Sequence, residues 1–126
     1  MSVVDEIGRS RYVSLTTYRK DGTGVATPVW HVMTGGELLI VSDAEAWKVK
    51  RIRKNSHVVV TVCGVRGQIA PGAPSAGGTA RLLDEAGTET GRRLLAQKYV
   101  MSRIGNWLTR ILRLRRRHVI GIAVTF

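Results

Sequence analysis

The chain has 126 residues, 44% of them hydrophobic, and a formal net charge of +11. That length allows one domain with one modest core, and that apolar share excludes a disordered chain. No apolar run approaches the ~18 residues of a membrane span, the N-terminal residues lack the basic flank and apolar centre of a signal peptide, and the single Cys63 excludes an internal disulfide framework or a cysteine-based zinc site. A cytoplasmic protein of one domain, residues 1–126, is the expectation. All nine acids lie at or before Glu89, and residues 90–126 carry nine Lys or Arg and no acid. Such a field attracts nucleic acid, anionic lipid or a polyanionic small molecule alike.

In chain order, "SVVDEIGRSR" predicts a short helix with Ser2 as N-cap. "YVSLTTYR" alternates and is rich in β-formers, so it predicts a strand. "KDGTG" carries an Asp-Gly turn, and "VATPVWHVM" is the returning strand of a hairpin. "TGGE" turns into the strand "LLIVS". "WKVKRIRKN" is too short for an independent helix. It predicts a helical turn or two between strands, with Val49 and Ile52 inward. "HVVVTVCG" is a strand, residues 65–77 are a loop rich in Gly and Pro, and "GTARLLD" is a strand. "TETGRRLLAQKYVMSR" has helical spacing at Leu94, Leu95, Tyr99 and Met101, with Thr88 or Thr90 as cap. "NWLTRILRLRRR" predicts a second helix and "HVIGIAVTF" a closing strand. Six short strands, mostly joined as hairpins, with short helices between them predict a mainly β (α+β) fold, a small antiparallel barrel.

The basic stretch is the first candidate site. Lys48, Lys50, Arg51, Arg53, Lys54 and His57 fall within ten positions. Lys48, Lys50 and Arg51 stand at the start of the short helix, where unpaired backbone N–H groups favour an anion. A lysine adds a point charge there and an arginine a planar fork, which suits a phosphate. The competing reading is a charged helix face in water. Lys54 lies nearly two turns on and is expected to be too far away to share the anion.

The strand "ATPVWHV" is the second candidate. A proline inside a strand marks an edge or a bulge. Pro28 therefore frees backbone groups near Thr27 and Val29, which a flat heteroaromatic ring with polar edges could use. Trp30 is either a core residue or a partner of that ring. Thr17 and Ser42 are polar groups at strand ends. Alternation puts His31 on the side of Thr27 and Val29, where it is an ordinary strand histidine or, facing a groove, a proton donor; His57 has the same two readings. His118 is expected to be exposed and Cys63 to be a buried strand thiol.

"YVSLTTYRKDGTGVATPVWHVMTGGELLIVSD", then "KVKRIRKNSHVVVTVC", then "GTARLLD" resembles the pyridoxamine-phosphate-oxidase-like split β-barrel superfamily. More narrowly it resembles the actinobacterial branch that uses the deazaflavin coenzyme F420. The resemblance runs from about Arg11 to Leu83 and weakly to the last strand; it lies in "TPVW", "KVKRIR" and "GTAR" in this order and spacing. It implies a six-stranded antiparallel split barrel that is a homodimer, with coenzyme in a groove between subunits. It implies that "ATPVW" lines the ring and that "KVKRIR" holds the phosphate, chiefly through Lys48. The implied coenzyme-binding set is Thr27, Pro28, Val29, Trp30, Ser42, Lys48, Val49, Lys50 and Arg51, with no metal site. Relatives usually have a Ser-Gly-like pair or an Arg just before the lysine. Here Ala46-Trp47 removes one phosphate partner; Trp47 is expected to pack in the core or the dimer interface, with crowding of the groove and packing on the ring of a bound ligand as the alternatives.

The implied function is an F420-dependent oxidoreductase that moves a hydride between coenzyme and a small organic substrate. The chemistry would be the coenzyme's, so no catalytic side chain is implied. The alternatives are a split barrel binding flavin mononucleotide (FMN) or haem, and a polyanion-binding module without chemistry. Against nucleic acid, the chain has no RNA-recognition aromatic motif, helix-turn-helix signature or zinc ligands, and its aromatics form no stacking platform. The tail helix has an apolar stripe (Trp107, Leu108, Ile111, Leu112, Leu114) flanked by Arg103, Arg110, Arg113 and Arg115 to Arg117. It covers the barrel, forms a cationic rim for the oligoglutamate tail of F420, or associates with a membrane surface.

Overall fold

Alternating apolar residues build seven strands among the described residues, which in this computed structural model are 3–64, 66–101 and 118–126. The order is α1 (Val3–Arg9), β1 (Val13–Tyr18), β2 (Gly24–Val29), β3 (Val32–Thr34), β4 (Glu37–Asp43), α2 (Trp47–Lys54), β5 (His57–Val62), β6 (Ser75–Leu82), α3 (Glu85–Met101) and β7 (Val119–Thr125). All pairings are antiparallel, in the order β2-β1-β5-β6-β7-β4-β3. The two edge strands, β2 and β3, are consecutive in the chain, so the sheet curls into a barrel split between them. Ser2, as N-cap, and the tail helix lie outside the described residues, and no described helix is long and apolar enough to cross a membrane.

The six predicted strands become seven because residues 25–33 do not form one strand. The chain leaves the ladder at Trp30-His31. The His31 carbonyl accepts from Lys98 Nζ at 3.0 Å, and the buried imidazole donates from Nε2 to the Ile7 carbonyl at 2.8 Å. The carbonyl is thus used outside the ladder, and the buried ring fixes the residue against α1, where the strand breaks. At the other boundary, β6 starts at Ser75 rather than Gly78, with Gly77 and Gly78 paired to Val59 and Val58. A Cβ at Gly78 would stand 2.8 Å from the Thr125 carbonyl oxygen, so glycine here serves a close approach of β6 to β7.

The interior is filled by Val13, Leu15, Val58, Val60, Ile122 and Val124 from the strands, by Leu38 and Ile40 of β4, and by Ile7, Val49 and Ile52 from α1 and α2. The helix α2 has no side-chain N-cap: Ala46 is extended and offers no oxygen. Its stability comes from burying Val49 and Ile52, as their spacing predicted. It ends where the Asn55 N–H bonds the Arg51 carbonyl at 2.8 Å.

The helix α3 starts earlier than predicted, because its cap is Asp84, not Thr88 or Thr90. Asp84 Oδ1 accepts the Gly87 N–H at 2.8 Å. The Thr88 hydroxyl instead accepts the Gly121 N–H of β7 at 2.8 Å, and Thr90 donates to the Ala86 carbonyl at 3.1 Å. This helix covers the outer face of β7, β4 and β3. Cys63 sits just past β5 and is half-buried, not inside a strand; burial raises its thiol pKa.

Candidate functional site

The stripe Trp47, Lys50, Arg51 and Lys54 has the spacing of one helix face, opposite the buried Val49 and Ile52. That face forms one wall of a cleft of about 520 Å³. The other wall is Tyr18, Arg19 and Lys20, at the tip of the β1–β2 hairpin; Asn55 closes one end. Five cations and no acid line it. The nearby Asp21 serves its own turn: Oδ1 accepts the Thr23 N–H at 2.9 Å, a bond that holds its carboxyl below the usual range. Arg51 is half-buried, lines the cleft and donates from Nη1 to Thr17 Oγ1 at 3.4 Å. Thr17 thus contributes through Arg51.

Lys50 and Arg51 are therefore brought together, as expected. Lys54 belongs with them: one turn after Lys50, it lines the same cleft, contrary to its expected distance from an anion. Trp47 is 69% exposed and does not pack in the core. Lys48 is half-buried beside the cleft rather than in its wall; burial, and then the charge of Arg51, lower its pKa. The Val49 side chain is fully buried and its N–H bonds the Ala46 carbonyl at 3.1 Å. Ser42 is buried at the end of β4, with its hydroxyl on the Asp43 carbonyl at 3.1 Å.

The β2 residues divide between faces. Thr27 and Val29 point inward; Thr27 Oγ1 is buried with no hydrogen-bond partner among the described residues. Pro28 and Ala26 point outward and are exposed, on an edge strand as the proline required. Trp30 is half-buried against Leu95 of α3, with Val32 and Val41, away from the cleft. His31 is fully buried, and desolvation and then Lys98 lower its pKa to about 4, so it is neutral. His57 and His118 are exposed. The His57 ring stacks on Tyr18 at 5.4 Å between centroids, next to the cleft. Sequence reasoning missed Arg19, Lys20 and Lys54; the signal was the charge at the hairpin tip and the repeat of Lys50 one turn on.

Outside α3, the ladder sets out an uncharged row across four strands: Ala26, Thr16, Val59 and Gly77. All four are exposed or half-buried.

The family model for pyridoxamine 5'-phosphate oxidase matches residues 2–125. The chain belongs to this family. Among solved structures, a conserved hypothetical protein of Mycobacterium tuberculosis is similar over 99% of this chain and 80% of its own, with a TM-score of 0.74 and 17% identity. The haem storage protein HutZ of Vibrio cholerae has a TM-score of 0.65 and 12% identity, over 97% of this chain and 86% of its own. An F420 reductase has a TM-score of 0.58 and 17% identity, over 94% and 88%. No curated protein matches the sequence. At these identities the likeness carries the split-barrel fold of the oxidase family.

Proposed function

We propose that this member of the pyridoxamine 5'-phosphate oxidase family is a homodimeric oxidoreductase that uses coenzyme F420 to reduce or oxidise a small organic substrate. The observation behind this reading is the cationic cleft at one end of the β2 edge. Thr27 is three residues from Gly24, which pairs with Tyr18 of the cleft wall. At about 3.3 Å per residue that is roughly 10 Å. A phosphate among Lys50, Arg51 and Lys54 and a flat ring beside the Thr27-Pro28 edge of β2 fit one elongated coenzyme. Lys48, already half-desolvated, would gain a counter-charge. A bound deazaflavin supplies hydride chemistry; this chain would hold its ring, keep water away and dock the substrate. The outward row of Ala26, Thr16, Val59 and Gly77 carries no charge in a chain of net +11, which suits a face covered by a second copy.

A side-by-side titration with F420 and FMN at fixed salt tests this. F420 should bind more tightly, because its longer anionic tail meets more cations. Equal affinities, or binding of neither, count against it. A haem binder is the second reading, favoured by the exposed His57 beside Tyr18 and by the likeness to a haem storage protein. A red preparation whose Soret band disappears in His57→Ala would support that reading instead.

A further inference from the structure

We infer that Trp47 is a stacking platform for an aromatic anion, a planar ring carrying phosphate or carboxylate groups, with Lys50 leaving the indole to pair with the anion. A tryptophan that is 69% exposed presents a large apolar plane to water. One face of it is occupied by this chain itself: Lys50 Nζ lies 4.5 Å from the ring centroid. At an exposed site a cation–π contact is weak and is readily exchanged for a stacked ring. Arg51 and Lys54 are on the same helix face, and Arg19 and Lys20 stand across the cleft. Ring and anion thus meet partners of opposite kinds within one space of about 520 Å³, a size that suits a small ligand. A bare anion needs only the cations; the exposed indole adds a reason for the ring.

This inference shares Lys50 and Arg51 with the coenzyme reading but does not depend on which coenzyme binds, or on any chemistry. ATP, tripolyphosphate and adenosine serve as probes by calorimetry at fixed salt, with no coenzyme present. Tripolyphosphate carries at least as much charge as ATP, so charge alone favours tripolyphosphate. Stacking should reverse that order and make ATP bind about tenfold more tightly. Adenosine alone should bind at least about tenfold more weakly than ATP, because it lacks the anion. Trp47→Ala and Trp47→Leu should bring ATP down to the level of tripolyphosphate without weakening tripolyphosphate. Lys50→Ala should weaken both. Equal or reversed affinities in the unsubstituted chain, or an ATP advantage that survives both Trp47 substitutions, would overturn the inference. Failure of F420 to bind leaves this test intact, and a null result here leaves the F420 titration intact.

Discussion

The Lys98 ammonium lies 3.0 Å from the carbonyl oxygen of His31, the residue at which the chain passes from β2 to β3. The same nitrogen reaches the Ser10 carbonyl at 3.1 Å and the Gly8 carbonyl at 3.4 Å, at the end of α1. One cation of α3 thus pins α1 and the link between the two edges of the split barrel. The His31 Nε2 atom is 3.3 Å from Nζ but carries a proton, since it bonds the Ile7 carbonyl, which only accepts. Lys98 therefore serves the carbonyls and not the ring. Burial lowers its pKa to about 8.

Lys98→Met keeps the apolar stem and removes the donor. Three carbonyls then lose a charged partner. With hydrogen bonds to charged groups worth ~1.5–3 kcal/mol, and water able to reach part of the site, a loss of about 2 kcal/mol is expected. The urea midpoint at fixed protein concentration should fall with the slope unchanged. An unchanged midpoint would show that the cluster contributes nothing.

His31 should make the fold sensitive to mild acid. Its folded pKa of about 4 lies below the ordinary 6.5. Between those values the unfolded chain binds the proton and the folded chain does not, so stability rises with pH across that window. The contribution is complete above pH 6.5 and is lost as pH falls toward 4, on the order of 3 kcal/mol. His31→Gln can still donate to the Ile7 carbonyl but does not titrate. Unfolding compared at pH 4.5 and 7 should show a smaller difference for His31→Gln than for the unsubstituted chain. Equal differences would assign the acid sensitivity elsewhere.

Much of this arrangement was legible because it is local. The spacing of Val49 and Ile52 placed α2 against the core, and Pro28 identified an edge strand. The break at Trp30-His31 was not legible, because its cause is Lys98, 67 positions away. Thr88 looked like a cap, but its hydroxyl answers an N–H in β7, 33 positions on. Of the places expected for Trp47, a single copy overturns only the core. Its exposure follows from register: with Val49 and Ile52 inward, the stripe Trp47, Lys50, Arg51 and Lys54 must face out. That register also brings Lys54 back to the cleft. The Arg-rich segment 103–117, read as cover, cationic rim or membrane contact, lies outside the described residues.

The cleft separates a built anion site from a diffuse field. Arg51→Ala removes a charge-assisted partner worth ~1.5–3 kcal/mol, so F420 affinity should fall about 10- to 150-fold. Lys54→Ala should also weaken binding, since it lines the same space. Arg81→Ala is the control: that guanidinium is committed to Glu37 at 2.7 and 2.8 Å and lies outside the cleft. If all three substitutions weaken binding equally and added salt erases the effects, the basic run acts only as a field.

Two glycines should respond oppositely to an added methyl. At Gly78 a Cβ would meet both the Thr125 carbonyl oxygen and Val124 Cγ1 at 2.8 Å. Backbone cannot step aside cheaply, so Gly78→Ala should cost ~1–3 kcal/mol. At Gly91, inside α3, the nearest atom is Val41 Cγ2 at 3.6 Å, an ordinary contact. Gly91→Ala should stabilise by ~0.5–1 kcal/mol through helix propensity. Thermal midpoints moving in the same direction for both would contradict this account of the β6–β7 approach.

The dimer is tested on the face that no described helix covers. Ala26, Thr16, Val59 and Gly77 form one outward row, and Ala26 is exposed in a single copy. Covering such a face contributes ~25 cal/mol per Å² of apolar area, which a monomer forgoes. Sedimentation at micromolar concentration should give about twice the 13.8 kDa chain mass. Ala26→Arg places a charge on that face without disturbing the interior, because its neighbours Val25 and Thr27 are the inward ones. A two-fold contact would repeat the charge on the partner and bury both without counter-ions. The substituted chain should therefore sediment as a folded monomer and bind F420 less tightly, since half of the groove is gone. A monomer before substitution, or an unaltered dimer after it, would move the interface off this face, and the proposed coenzyme groove with it.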